Sequence, residues 1–245
     1  MTRYFSFPLL LLAFLGFSLQ ARAQIGEHRN EFFVGVNGGY ALSRVSFVPS
    51  VSQTMHGGMT GGLSFQYVSE KYFSTICSIY AELNFTQMGW KEDIKDINDQ
   101  PVINPVSGVA EQYKRTLNYV QLPVFAHLAW GKEHRGFQFF INAGPQFGYL
   151  VSEQTNSNFS FADRNLSDRA NKVSAQDSMA VEHKLDYGIA AGLGLQYSLP
   201  RVGCFLLEGR YYYGLGNIYG DSKRDYFSRS NMGSIVVKLT YLRKI

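Results

Sequence analysis

The stretch HKLDYGIAAGLGLQYSL, His183–Leu199, decides the fold. It is rich in glycine, yet an apolar side chain returns at every second position from Leu185 to Leu199. Such a segment could be a phosphate-cradling loop, a strand of a soluble sheet or a membrane-spanning strand. No lysine or helix start follows the G-x-G, and the alternation continues straight through it, so a strand is predicted and a phosphate loop is not.

Seven further segments show the same period of two, which marks a strand with two different faces. The eight predicted strands are roughly 32–43, 57–68, 73–89, 112–130, 136–152, 183–199, 203–216 and 232–243. Their connections alternate in length, because 69–72, 131–135 and 200–203 are short whereas 44–56, 90–111, 153–182 and 217–231 are long and polar. Short turns at one end and long loops at the other are typical of a transmembrane barrel with periplasmic turns and extracellular loops.

A soluble eight-stranded barrel is the alternative, and its outer face would carry Lys, Glu and Arg. The polar face here is mostly Gly, Ser, Thr, Asn, Gln and Ala, which suits a narrow lumen filled by side chains. Aromatic residues of the apolar face form one group near the turns and one near the loops: Tyr67, Trp130, Phe137, Tyr197, Phe205 and Tyr241, then Tyr40, Tyr149, Tyr187 and Tyr213. Two membrane interfaces require two such belts. We therefore predict an all-β protein, an eight-stranded antiparallel up-and-down transmembrane β-barrel.

The first residues have the pattern of an export signal. One arginine and no acid precede the apolar run PLLLLAFLGFSL, and ARA at 21–23 is a small-residue cleavage site. We expect a signal peptide over 1–23 and a barrel domain over 24–245, placed in the outer membrane of a Gram-negative bacterium. Removing Arg3 and Arg22 takes Lys+Arg from 23 to 21 against 19 acids, so the small net charge implies no nucleic-acid partner.

Cysteine chemistry offers no site. Cys77 and Cys204 fall on opposite faces of the predicted wall, so free thiols are expected although export permits disulfides. Without a CxxC motif or a histidine partner they make no zinc site, and we predict no metal, cofactor or catalytic residues. Two strand prolines, Pro123 and Pro145, become neighbours in a simple register, and their position predicts one local β-bulge.

Six charged residues alternate onto the inward face: Glu82, Lys184, Asp186, Glu208, Arg210 and Lys238. Glu208 and Arg210 face small residues of the neighbouring strand, which leaves room for long side chains across the lumen. A salt-bridged plug is the first interpretation, since an unpaired buried charge is costly. A proton path or a small gated pore is the alternative, although eight strands leave little open lumen.

Four motifs occur in order along the chain: NYVQLPVFAHLAW, NAGPQFGYL, KLDYGIAAGLGLQY and LLEGRYYYGLGNI. With Tyr119 and Pro123, then 144–150, 186–194 and 210–218, the sequence resembles the PorT-like outer-membrane β-barrel family of the Bacteroidota, one of the porin-family barrel groups. The resemblance covers most of the mature chain and implies an outer-membrane location, with membrane lipid and the outer-membrane assembly machinery as partners. It implies no activity, although the family's namesake is associated with protein secretion.

Three classes of function are compatible with such a barrel. A structural or interaction role is expected, with a protein partner or surface ligand held by the loops 91–111 and 153–182, since loops on rigid scaffolds carry function. A flexible, surface-shielding loop is the alternative for the same residues. A lipid- or peptide-acting hydrolase is the third class, and its few candidates lie toward the loops: His56, His183, Ser52, Ser178, Asp177 and Glu182. Such a scatter of polar loop residues is expected by chance, so we predict that the protein is not an enzyme.

Overall fold

The computed structural model describes residues 26–133, 135–220 and 225–245. Eight long strands, numbered here in chain order, form most of this part: β1 Glu27–Val48, β2 His56–Tyr72, β3 Thr75–Glu92, β4 Tyr113–Gly131, β5 Gly136–Ser157, β6 Leu185–Leu199, β7 Gly203–Asn217 and β8 Arg229–Lys244. The loops contain a two-residue strand, Gln53–Thr54, and a 3-10 turn, Ala175–Asp177. The predicted signal peptide, 1–23, lies outside the described residues.

Each strand pairs antiparallel with the next in sequence, and β8 pairs with β1. Gly38 of β1, for example, lies opposite Gly61 of β2 on one side and Leu239 of β8 on the other. The sheet is therefore a closed barrel, which is the arrangement of strands that satisfies its own backbone hydrogen bonds in lipid. The predicted eight-stranded up-and-down barrel is confirmed.

Alternation sorts each strand into a lipid face and a lumen face. In β6, Leu193 on the outward face is 60% exposed, whereas Ala190 on the inward face is fully buried. The residues of both predicted aromatic belts point outward, and Trp130 Nε1 donates to Thr75 Oγ1 at 2.7 Å. Cys77 and Cys204 are free. Among the described residues, no helix is long and apolar enough to cross a membrane.

The strands extend farther at the loop end than the sequence predicts. β1, β3 and β5 run to Val48, Glu92 and Ser157, and Gln53 pairs with Glu92 to continue the wall. Outward side chains become charged at this level: Arg44, Lys91 and Lys114. Since charged side chains are costly in hydrocarbon, these residues mark the end of the apolar outer band, and the strand ends above them stand outside the membrane.

Two local predictions are corrected. The first turn is not 69–72, because β2 continues to Tyr72 through an irregularity between Val68 and Glu70, and the chain reverses at Phe73 with φ 51°. The expected bulge at Pro123 and Pro145 is also absent: β4 and β5 keep one register from Pro123–Gln146 to Ala126–Ala143. Their register shifts instead between Asn118 and Tyr119, nearer the loops. The ladder accommodates the two prolines without an extra residue.

Candidate functional site

Four charged side chains meet inside the barrel, and we call them the charge quartet: Glu82, Glu208, Arg210 and Lys238. Arg210 binds both acids, with Nη1 2.9 Å from Glu82 Oε2 and Nη2 2.9 Å from Glu208 Oε2. Lys238 Nζ also contacts both, and lies 3.3 Å from Glu208 Oε2. None of the four is more than 5% exposed. Two positive and two negative charges therefore balance one another inside the lumen.

Polar and aromatic side chains surround the charge quartet. Asn84 Nδ2 donates to the Glu82 carboxylate at 2.8 Å, and Asn142 Nδ2 donates to the Glu208 carboxylate at 3.1 Å. The ring of Phe125 lies 4.4 Å from the guanidinium carbon of the quartet arginine. Hydrogen bonds and cation–π contact of this kind offset the cost of removing charges from water.

Glycines of β6 make room for this arrangement. Gly192 lies opposite Arg210, and a Cβ on Gly192 would lie 2.5 Å from Glu208 Oε1. The space beside Gly194 is used differently, because a Cβ there would meet the ring of Phe140 at 2.5 Å. The glycine-rich stretch therefore shapes the lumen for one charged side chain and one aromatic ring.

Two of the six predicted lumen charges lie outside the charge quartet. Lys184 precedes β6 and is exposed, and its carbonyl oxygen accepts the Leu150 N–H at 2.8 Å. Asp186 is buried in the lumen, where its Oδ2 accepts the Tyr212 hydroxyl at 2.8 Å. The predicted strand began too early, so that Lys184 was wrongly placed in the lumen. The alternation placed Asp186 in the lumen correctly, but it could not show that Tyr212 is its partner in place of the other charges.

A second group of charges closes the extracellular mouth, and we call it the mouth cluster: Glu92, Glu111, Arg164, Arg169 and Asp177. Arg169 Nη2 lies 2.7 Å from Glu111 Oε2, and its Nη1 lies 3.8 Å from both Glu92 Oε2 and Asp177 Oδ2. Arg164 Nη1 lies 3.3 Å from Asp177 Oδ2. The loop between β5 and β6 thus folds inward over the barrel and binds Glu92 at the end of β3 and Glu111 in the loop between β3 and β4.

Three acids face two arginines in the mouth cluster, and the excess negative charge changes the acidity of the group. Burial, reinforced by the Asp177 carboxylate, raises the pKa of Glu92 to about 8. Burial also raises the pKa of Asp177. The pKa of Glu111 is lowered: burial opposes its ionisation, but the Asn165 N–H and the Arg169 guanidinium together outweigh this effect. At neutral pH the cluster therefore favours a proton on Glu92.

An aromatic layer lies beneath the mouth cluster and consists of Phe47, Trp90, Tyr113, Tyr219 and Phe227, all buried. Phe47 and Trp90 meet edge to face at 5.4 Å between ring centroids, and Arg115 lies over the Trp90 ring at 5.6 Å. Arg115 Nη1 also donates to the Gln176 carbonyl and to the Tyr219 hydroxyl, each at 3.2 Å. The long loop is therefore a packed cap and not a loose cover.

Most of this cap has no local signal in the sequence. Nothing distinguishes Arg115 and Arg169 from other loop-end arginines, because their partners lie 61 and 58 residues away in the chain. One signal was available in the sequence: Trp90 lies on the inward face of β3, two residues beyond Met88. A large aromatic ring at that position is unusual for a water-filled mouth. That signal predicts an apolar filling at the loop end, but it does not identify the loop that covers it.

The candidate catalytic residues are not brought together. His56 is buried, and its Nε2 lies 2.8 Å from Thr116 Oγ1, whereas His183 is exposed and its backbone N–H donates to the Ile218 carbonyl at 3.2 Å. Asp177 belongs to the mouth cluster. Over the described ranges, no group of three or more His, Cys, Asp and Glu side chains could hold a metal ion.

The sequence matches the model of a known protein family, the outer membrane protein beta-barrel domain, over residues 20–220. No curated protein matches the chain. The solved structures that are similar to it include the following three. Ail of Yersinia pestis is 14% identical, covering 87% of this chain and 99% of Ail with a TM-score of 0.35. OprG of Pseudomonas aeruginosa is 14% identical, covering 89% and 98% with a TM-score of 0.42. Neisserial surface protein A is 10% identical, covering 86% and 96% with a TM-score of 0.38.

The family match spans more than half of the chain and agrees with the closed sheet, the apolar outer band and the two aromatic belts. The protein is located in the outer membrane of a Gram-negative bacterium, where lipid surrounds the apolar band. The chain belongs to the family of outer membrane protein beta-barrel domains.

Proposed function

We propose that the protein is a non-enzymatic, PorT-like barrel with a closed lumen, and that its extracellular cap is a preformed surface for binding a protein partner. The observation that carries this proposal is the cap itself. The mouth cluster and the aromatic layer bury side chains of the long loops, so the outer surface of those loops is held in one shape. Binding by a rigid surface avoids the entropy cost of ordering loops on association.

Apolar side chains are exposed on this cap. In the loop between β3 and β4, Ile97 is 87% and Val106 is 73% exposed. Each lies in a turn held by a backbone hydrogen bond, Asp96 N–H to the Gln100 carbonyl around Ile97 and Gly108 N–H to the Asn104 carbonyl around Val106, both at 2.9 Å. Exposed apolar groups on an ordered loop are a common feature of protein-binding surfaces. A role in protein secretion, with which the namesake of the PorT-like family is associated, or in surface binding is part of the same proposal.

Photo-crosslinking in intact cells tests the proposal. A photoreactive amino acid replaces Ile97 in one strain and Val106 in another, and a third strain carries it at the lipid-facing position Met59 as a matched control. We expect one protein to be captured from both cap positions and not from Met59. Capture of lipid only, or the same proteins from all three positions, would contradict a protein-binding cap.

A small gated pore is the second candidate, and one observation favours it. Arg210 and Lys238 each contact both Glu82 and Glu208, so ion pairs in the charge quartet could exchange partners without leaving a charge alone. Purified protein in planar bilayers separates the two candidates. The closed barrel gives no steady conductance, whereas a pore gives discrete openings that change in frequency in Lys238→Met.

A further inference from the structure

Two adjoining cavities open at the turn end of the barrel, and we call them together the periplasmic vestibule. Their volumes are about 450 Å³ and about 90 Å³, and they share five lining residues, Glu31, Phe33, Glu133, Ser198 and Cys204. The larger one is within the range of small-molecule sites, roughly 300–1,000 Å³. This space lies at the opposite end of the barrel from the cap, so any role it has is separate from the proposed function.

The inner wall of the periplasmic vestibule carries a polar atom without a partner. Gln196 is 8% exposed and lines the smaller cavity. Its Nε2 donates to Ser198 Oγ at 3.4 Å, but its Oε1 accepts no hydrogen bond from any described residue. Because this oxygen is itself shielded from solvent, a ligand in the cavity cannot reach it, and recognition rests on the charges that line the vestibule.

The rim of the periplasmic vestibule carries excess positive charge. The described lining residues include four cations, Arg29, Arg201, Arg243 and Lys244, and two acids, Glu31 and Glu133, which leaves a charge of +2. Lys244 pairs with Glu31 at 2.7 Å, and Arg29 pairs with Glu133 at 2.8 Å.

The uncompensated charge of the rim therefore belongs to Arg201 and Arg243. Neither pairs with an acid within the described part of the chain, and both are exposed. Guanidinium groups bind carboxylates with two parallel hydrogen bonds, which makes a carboxylate the best complement to these two side chains.

We propose that the periplasmic vestibule binds a carboxylate, the chemistry of an acidic peptide segment or of a small organic acid. The carboxylate pairs with Arg201 and Arg243 at the rim. Phe33, which lines both cavities, contacts the apolar part of the ligand.

Cys204 provides a reporter, because its thiol lines both cavities and lies 3.4 Å from Ser198 Oγ. In Cys77→Ser protein held in lipid nanodiscs, the rate of Cys204 alkylation by a maleimide is measured with three probes. These are the tripeptide acetyl-Asp-Gly-Asp-amide, its neutral counterpart acetyl-Asn-Gly-Asn-amide, and N-acetylaspartate. Backbone amide shifts of Ser198 and Gly203 are recorded with the same probes, so that a slowly reacting thiol does not obscure binding.

We expect the acidic tripeptide to slow alkylation and to shift both amides, and the neutral tripeptide to do neither. Arg201→Ala combined with Arg243→Ala should weaken binding about tenfold or more, since the double change removes the charge-assisted hydrogen bonds to the carboxylate. Arg44→Ala, at the opposite end of the barrel, is the matched control and should leave binding unchanged.

The probes also distinguish the source of the ligand. Equal effects of N-acetylaspartate and the acidic tripeptide indicate a free small acid, whereas an effect of the tripeptide alone indicates a peptide segment. The proposal is overturned if no acidic probe changes either readout, or if the neutral tripeptide acts as strongly as the acidic one. Because the vestibule and the cap lie at opposite ends of the barrel, neither result bears on the conductance or crosslinking tests of the proposed function.

Discussion

Arg210 reaches across the lumen and binds both carboxylate oxygens of Glu82, with Nη1–Oε2 at 2.9 Å and Nη2–Oε1 at 3.1 Å. The two residues are 128 positions apart in the chain and belong to β7 and β3. The bond therefore ties opposite parts of the wall together. Its two-pronged geometry needs a planar guanidinium, so lysine is not an equivalent replacement.

Replacing Arg210 with alanine should strongly destabilise the barrel. The change leaves Glu82 and Glu208 with one shared cation, and breaking a buried pair on one side costs about 3–5 kcal/mol. The free energy of unfolding in urea, measured in lipid vesicles, gives the comparison. The control Arg44→Ala removes an exposed outward arginine and should change the free energy by less than about 0.5 kcal/mol. Equal effects of the two variants would contradict a stabilising charge quartet.

Removing an acid together with its base should cost less than removing the base alone. The double variant Glu208→Gln and Arg210→Met leaves Glu82 paired with Lys238. Because no buried charge is then unpaired, we expect it to recover about 1–3 kcal/mol relative to Arg210→Ala. Urea unfolding of both variants measures the recovery. A double variant less stable than the single variant would show that hydrogen bonds of Glu208, and not charge balance, dominate.

Gly192 should not tolerate a methyl group, whereas Gly209 should. A Cβ on Gly192 would lie 2.5 Å from Glu208 Oε1, but a Cβ on Gly209 would have no atom within 4 Å. Gly192→Ala should lower the free energy of unfolding by about 1–3 kcal/mol through overpacking. Gly209→Ala, on the lipid face of β7, should be neutral or slightly stabilising. Similar losses in both variants would mean that glycine is needed for the strand and not for the lumen.

The cap should loosen as the pH rises. The folded pKa of Glu92 is about 8, above its ordinary value of 4.5. The protonated carboxyl therefore contributes stability to the cap that is fully present below about pH 4.5. This contribution falls as the pH rises and is lost once the pH has passed about 8. Hydrogen exchange, expressed as protection factors of the loop 158–184, should show lower protection at pH 9 than at pH 6. Glu92→Gln should remove most of this dependence. A loop whose protection rises with pH would contradict the assignment.

Arg169 should hold the long loop closed. Arg169→Ala removes the partner of Glu111 and leaves three buried acids with Arg164 alone, which costs about 3–5 kcal/mol locally. We expect chymotrypsin to cut the loop 158–184 faster in intact cells, with the barrel strands still protected. Lys172→Ala changes an exposed side chain of the same loop and serves as the control. Unchanged cleavage in Arg169→Ala would show that the aromatic layer alone holds the cap.

The fold of this protein could be predicted from its sequence because the information is local. A period of two fixes which face of each strand meets lipid, and the aromatic belts fix where the membrane surfaces lie. The alternation of short and long connections fixes which end carries the loops. The same periodicity placed Glu82, Glu208, Arg210 and Lys238 on the lumen face, since inward and outward positions follow directly from it.

The tertiary structure alone decided which of these charges meet and what the loops do. Register and barrel closure bring Glu82 to Arg210 and leave Asp186 with Tyr212, and these depend on the pairing of strands far apart in sequence. The cap depends on contacts such as that of Arg169 with Glu111, 58 residues away. The periplasmic vestibule likewise forms where separate strand ends and turns converge. Loop positions carry no period, so only long-range packing determines them.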